Sequence, residues 1–274
     1  MKIRLGWIAD NFYPDVKRGA EIEDYLLIQE GLRRGYKIIK MGKLNKNVDG
    51  FIVANFLDNI NIGELFAYLS RKPYIKIEHD LRGPIIPFYK MLASEALLVV
   101  YHSPIQQRLI EQHGVIYKCF LHPMCVPTEF KDLGLKRKPE TEVLYVGDYA
   151  KEKGYQEMVE WLEQRPDYTI WHYGSGFPKH HPRMKEMESI EHEDMPKIYN
   201  KFQTLIFLPA FQQACSRVIA EAYLCKVPNI ITNGKDGFTS YGWTMNDYDK
   251  VRERLINGHK ILWDKIEGEF GNAS

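Results

Sequence analysis

The sequence has no apolar run near the roughly 18 residues a membrane-spanning helix requires. Its longest, Ala96–Tyr101, has the length of a buried strand. Cysteine is scarce, and none of the four (Cys119, Cys125, Cys215, Cys225) stands in a CxxC pair. That removes the zinc-ribbon and dithiol motifs and fits the reduced thiols of a cytoplasm. An excess of one charge is also missing. Thirty-seven basic against 36 acidic residues leave +1 at pH 7, whereas a dedicated polyanion binder carries a large basic surplus. No GxGxxG, GxxxxGK[ST] or GxSxG occurs, so nothing supports a nicotinamide cofactor, a P-loop or a serine-hydrolase elbow. No low-complexity segment or short tandem repeat is found. Early charges in MKIRLGWIADNFYPD lead to the expectation of no signal peptide. The expected location is the cytoplasm, with at most a peripheral contact with a membrane.

The composition is that of a globular protein, 45% hydrophobic and 27% charged over 274 residues. A chain of this length points to about two domains and buries enough surface to need no disulfides. The near-zero charge conceals an asymmetry. Residues 1–137 hold 20 basic and 15 acidic residues, and residues 138–274 hold 17 and 21.

Short apolar runs alternate with segments of helical spacing. Strands are expected over Lys2–Ala9, Tyr36–Met41, Gly50–Ala54, Tyr74–Glu78, Ala96–Tyr101 and Ile116–Leu121. Helices are expected over Ala20–Arg34, Ile62–Ser70, Pro87–Ala93 and Pro104–His113. The polar stretch Lys131–Thr141 reads as a linker. The rhythm then restarts, with strands at Glu142–Val146, Tyr168–Tyr173, Thr204–Leu208 and Pro228–Thr232. Helices are expected at Glu152–Gln164, Asp194–Lys201 and Ala214–Cys225, and one or two amphipathic helices over Asp247–Lys265. The expected class is α/β, two Rossmann-like domains with an interdomain cleft. Residues 1–133 would form one domain and 134–246 the other. Residues 247–274 would form a helical segment packing back on the first domain.

Ligands of such sheets sit at the carboxyl ends of the strands, so the chemistry is sought there. After Leu208 a loop leads into a helix whose first N–H groups, around Ala214–Arg217, can receive an anion. Within that helix Glu221 either faces solvent or accepts hydrogen bonds from sugar hydroxyls. Gly147 ends a strand, and Lys151 and Lys153 follow. A lysine there can neutralise a leaving diphosphate without a metal, although a solvated lysine-rich turn is the simpler account of one lysine alone. In the first half, Arg18-Gly19-Ala20-Glu21 precedes a helix, and Gly19 permits close approach of a phosphate or sugar. Glu78-His79-Asp80 closes a strand, with His102 at the end of another; each histidine is either structural or positioned to polarise a hydroxyl. Asp247-Tyr-Asp249 has the form of a metal-binding DxD but starts an amphipathic helix, where it serves as a cap. His172, His180, His181 and His192 fit no zinc spacing. Ile85–Leu92 reads as a core-facing helix, with a membrane-touching surface as the other reading.

In this order the pieces resemble the family-4 retaining glycosyltransferases of the two-domain GT-B fold. Arg18–Glu21 is similar to the family's Gly-Gly-x-Glu loop, and Glu78-His79-Asp80 to its strand-end histidine segment. Val146-Gly147 with Glu152-Lys153-Gly154 is similar to VGR…EKG, Tyr173–Gly176 to the following G-x-G, and Met195–Tyr199 to lp-x-hY. Pro209–Ala222 is similar to PS…E-x7-E-A, followed by Cys225–Pro228. The resemblance implies a metal-independent hexosyl transfer from a UDP- or GDP-sugar, with retention, to a hydroxyl of a glycan, lipid or small molecule. It implies His79, Lys153 and Glu221 as catalytic residues. Donor binding would fall to Gly19, Gly147, Lys151, Lys153, Gly174, Gln213, Cys215, Ser216, Arg217 and Glu221. The acceptor side would hold Arg18, His79, Asp80 and His102. No metal or cofactor is implied.

The chain departs from the pattern at three places. Gln213 replaces the first glutamate, Asp148 the arginine and Ala210 the serine. Gln213 and Asp148 keep a second reading open, a non-catalytic nucleotide- or glycan-binding relic of the fold. The basic first half alone keeps a third, a sugar transferase acting on DNA; otherwise no nucleic-acid partner is expected.

Overall fold

The computed structural model describes residues 3–41, 47–54, 62–79, 87–112, 118–148, 153–174 and 181–272. The chain divides into two compact units, Met1–Cys125 with Glu253–Ser274, and Val126–Arg252.

The first unit runs β1 (Arg4–Ile8), α1 (Gly19–Arg33), β2 (Lys37–Met41), β3 (Gly50–Val53), α2 (Ile62–Leu69) and β4 (Tyr74–Glu78). It continues with α3 (Pro87–Ser94), β5 (Leu98–Tyr101), α4 (Pro104–Glu111) and β6 (Cys119–Leu121). All its strands pair in parallel, in the order β2-β1-β3-β4-β5-β6. β3, β4 and β5 are buried along their whole length, as a sheet covered on both faces requires; β3 and β5 are apolar runs, whereas β4 also buries Lys76, whose Nζ donates to the Ala54 and Ile77 carbonyls at 3.0 and 2.8 Å. Trp7, Ile52, Ile75 and Val100 pack on one face against Leu27 and Ile28 of α1. Ile8, Phe51 and Val53 pack on the other against Leu65, Leu69 and Leu92. Leu92 thus turns the Pro87–Ser94 helix toward the core; the preceding Ile85 and Ile86 lie outside the described residues.

Two further helices close the chain, α8 (Tyr248–Ile256) and α9 (Gly258–Asn272). Leu262, Trp263, Ile266 and Phe270 of α9 enter the same core as α1, each contributing about 1.5–3 kcal/mol by burial. Trp263 donates its indole N–H to the Leu27 carbonyl at 2.6 Å. Arg34, just past α1, reaches Asp264 at 2.7 Å and Glu267 at 2.9 Å.

The second unit runs β7 (Glu142–Val146), α5 (Tyr155–Glu163), β8 (Thr169–Tyr173), β9 (Met184–Met187), α6 (Met195–Tyr199), β10 (Thr204–Phe207), α7 (Arg217–Leu224) and β11 (Asn229–Thr232). Its parallel order is β11-β10-β7-β8-β9. Val143, Tyr145, Ile170 and Ile206 pack with Met158 and Leu162 of α5. The stretch 131–141 has no regular structure and is tied to this unit. Leu133 N–H donates to Asn200 Oδ1 at 2.7 Å, and Arg137 donates to the Phe202 and Cys225 carbonyls at 2.9 Å each.

Both sheets reverse their strand order once, between β1 and β3 and between β7 and β10. At such a switch point the loops leaving two adjacent strands diverge and open a ligand crevice. No helix among the described residues is long and apolar enough to cross a membrane.

Candidate functional site

In the second unit the loops leaving β7 and β10 are locked together by glycines. Gly147 ends β7 at φ 139°. His172, on neighbouring β8, donates its Nε2–H to the Gly147 carbonyl at 2.7 Å, and burial lowers its pKa. A Cβ on Gly174 would run into that same carbonyl. Gly154, at φ 81°, caps α5 with no room for a Cβ against the Leu208 carbonyl. Lys153 is thereby laid across the switch point, where its Nζ donates to Gln213 Oε1 at 3.2 Å. Lys151 lies outside the described residues. Asp148 is exposed, and its carbonyl accepts from the Tyr145 hydroxyl at 3.3 Å.

The helix expected from Ala214 begins at Arg217, with Ser216 as its N-cap. The reason is Asp236, twenty residues on, which binds the loop first. Its carboxylate accepts from Ser216 N–H at 2.8 Å and from Thr239 N–H at 2.9 Å. Gln213 forms a β-bridge with the same residue. Burial pushes the Asp236 pKa up to about 6. Ser216 N–H is therefore given to Asp236 rather than to an external anion. Ser216 and Arg217 are buried, and Cys215 half-buried.

Glu221 faces inward, 2% exposed, not toward solvent. His192 Nε2 stands 2.6 Å from its Oε1, and the Tyr199 hydroxyl donates to Oε2 at 3.1 Å. The Arg217 guanidinium lies 3.8 Å from Oε1. Burial and the Glu221 charge push the Tyr199 phenol well above 10 and Cys225 up to about 12, so Tyr199 remains a donor. A carboxylate offers about four lone-pair sites, of which His192 and Tyr199 take two. His192 packs on Phe130, with ring centroids 5.0 Å apart. His192 and Asp236 carry no local sequence signal. Tyr199 lay within the lp-x-hY resemblance without an assigned role.

The DxD segment is a cap. Asp247 accepts from the Thr244 backbone and hydroxyl, both at 3.0 Å.

In the first unit Arg18 is the exposed N-cap of α1 and Gly19 its exposed first residue. The next turn buries acids instead of presenting them to water: Glu21, Glu23 and Asp24 are all nearly inaccessible. Glu21 Oε2 has no hydrogen-bond partner, and burial, with Asp24 adding to it, raises its pKa. Asp24 Oδ1 meets His79 Nε2 at 2.9 Å, His79 Nδ1 meets His102 Nε2 at 3.3 Å, and His102 Nδ1 meets the His122 carbonyl at 3.0 Å. Asp80 lies outside the described residues.

The His122 carbonyl only accepts, so His102 Nδ1 carries a hydrogen. Asp24 opposite Nε2 favours an imidazolium at His79, whose Nδ1 faces His102 Nε2. Burial opposes this charge on His79, and Asp24 outweighs it, so the His79 pKa is raised. Both nitrogens of His79 are thus committed within the protein. His102 is further held by its backbone N–H, which donates to Gln106 Oε1 at 2.7 Å.

No family model and no curated protein sequence matches the chain. Solved structures do. Anabaena HepE in complex with UDP and glucose superposes with a TM-score of 0.63 at 12% identity, over 95% of this chain and 94% of that one. A glycosyltransferase from Rickettsia africae ESF-5 gives 0.65 at 14% identity over 99% of both chains. AviGT4, a glycosyltransferase involved in avilamycin A biosynthesis, gives 0.62 at 11% identity over 97% of both. The chain shares their fold. The expected α/β class with two parallel sheets agrees with that likeness, which rests on structure, not on sequence.

Proposed function

We propose that the protein is a retaining, metal-independent glycosyltransferase that moves a hexosyl group from a UDP- or GDP-sugar to an acceptor hydroxyl, most simply one on a glycan. The observation that carries the reading is the switch-point arrangement of the second unit. There Lys153 is fixed beside Gln213, on the loop that leads to the helix bearing the buried Glu221. Lys153 neutralises the leaving diphosphate. Glu221, aligned by His192 and Tyr199, accepts the two ribose hydroxyls on its remaining lone pairs. Gln213 holds the ammonium through a neutral amide. In the first unit, the Asp24–His79–His102 chain shapes the acceptor side, with Arg18 and Gly19 at the opening of α1. The structural likeness to a protein crystallised with UDP and glucose supports the nucleotide class.

Calorimetry against UDP, GDP and uridine tests the reading. A nucleoside diphosphate should bind the folded protein equally well with and without EDTA, and uridine far more weakly. A folded protein that binds neither diphosphate would overturn it. Nucleotide binding without transfer or donor hydrolysis, over a panel of sugars and acceptors, would favour the non-catalytic alternative motivated by Gln213 and Asp148.

A further inference from the structure

Beyond His102, the first unit buries side chains that sugar transfer does not use. Glu23 on α1, and His122 and Cys125 on the chain leaving β6, are 2%, 1% and 0% exposed. Their ligating atoms lie within 4.8 Å of one another. Cys125 Sγ is 3.6 Å from His122 Nε2, which is 3.8 Å from Glu23 Oε1. The Cys125 backbone N–H donates to both Glu23 oxygens, at 3.0 and 2.8 Å, and so turns the carboxylate toward the other two groups. We propose that Glu23, His122 and Cys125 form a structural site for one divalent metal ion, zinc fitting best.

Geometry, charge and ligand chemistry agree. A zinc ion with bonds of about 2.3 Å to sulfur and about 2.0–2.1 Å to nitrogen, at a tetrahedral angle, sets those atoms about 3.6 Å apart. That is the separation the structure already holds. Burying a thiolate beside this carboxylate without a cation would be costly. A divalent cation balances one thiolate and one carboxylate, with a neutral imidazole as third ligand. Thiolate and imidazole prefer zinc to magnesium or calcium. The His102 ring donates to the His122 carbonyl and steadies the ligand's backbone, as outer-shell partners of metal ligands do. The start of α9 closes against the cluster at Gly258, where a Cβ would stand 3.1 Å from His122 Cε1 and 3.2 Å from Cys125 Sγ. Three protein ligands leave the fourth tetrahedral position to a water molecule. The ion would pin α1 to the chain leaving β6, independently of whether the second unit binds a nucleotide.

The full-length chain, freed of metal by a chelator, is titrated with Co²⁺ and then challenged with Zn²⁺. The expected result is one cobalt per chain, with the visible bands of a tetrahedral ion and a thiolate-to-cobalt charge-transfer band, displaced by one equivalent of zinc. Cys125→Ser should abolish the charge-transfer band, and Cys119→Ser should leave it. X-ray absorption on the wild-type zinc form should find one sulfur neighbour at about 2.3 Å; this measurement stands even if Cys125→Ser fails to fold. A folded wild-type chain that takes up no cobalt, a charge-transfer band that survives Cys125→Ser, or a zinc form without a sulfur neighbour would overturn the site.

Discussion

Lys153 Nζ donates a 3.2 Å hydrogen bond to Gln213 Oε1 and so ties the loop leaving β7 to the loop leaving β10, at the reversal of strand order. The bond orients the ammonium while leaving its charge intact. Lys153→Met should weaken UDP binding by about 1.5–3 kcal/mol, ten- to a hundredfold, the range for a hydrogen bond to a charged group. Uridine affinity should change little. Calorimetry with both ligands reads the difference, and an equal loss for both would remove Lys153 from the diphosphate.

Glu221 serves stability and binding at once, and two substitutions separate these roles. Glu221→Ala takes the acceptor from the buried Tyr199 hydroxyl, at a cost of about 1–3 kcal/mol in urea unfolding. Glu221→Gln keeps an amide of the same shape beside Tyr199 and should lose far less stability. Both should lose nucleotide affinity. Unchanged UDP binding in Glu221→Gln would mean that the carboxylate is a structural group alone.

The Asp24–His79 pair has a definite pH dependence. The His79 pKa is raised above its ordinary 6.5, so the folded chain holds that proton more tightly than the unfolded chain. The stabilisation is complete below about pH 6.5 and is lost as pH rises through the folded value. The difference in unfolding free energy between wild type and Asp24→Asn should therefore be largest in weak acid and shrink toward alkaline pH. A difference that stays constant or grows would refute the imidazolium assignment.

Gly154 should tolerate no side chain. Gly154→Ala incurs left-handed strain of about 1–3 kcal/mol, to which its collision with the Leu208 carbonyl adds. Unfolding by urea should register at least the strain. The separation of the two loops should also lower UDP affinity, even at temperatures where the variant remains folded.

Local pattern carried the alternation of strands and helices. Glu142–Val146 is a strand over the expected residues, and Pro104 opens α4 as its position suggested. The pattern failed where a distant residue decides. Met184–Met187 joins the sheet although Lys185 and Glu186 give it no apolar run, because an edge strand needs pairing on one side only. The start of α7 depends on Asp236, and the burial of Glu221 on His192, 29 residues away. Glu23 and Asp24 have the charge of a solvated helix face. Their partners, Cys125 and His79, are 102 and 55 residues distant, beyond the reach of any periodicity. The motifs located the strand ends; long-range pairing decided which side chains serve there.

Because α9 supplies Leu262, Trp263, Ile266 and Phe270 to the core shared with α1, the first unit is discontinuous in sequence, while the second is one unbroken stretch. During synthesis, residues 126–252 leave the ribosome as a complete set before the first unit has its closing helix. The half made first is the half finished last. Until then the apolar side of α1 that Leu262 and Trp263 cover lacks its partner. A nick or stop codon just before residue 258 would damage the N-terminal unit, not the segment nearest the cut.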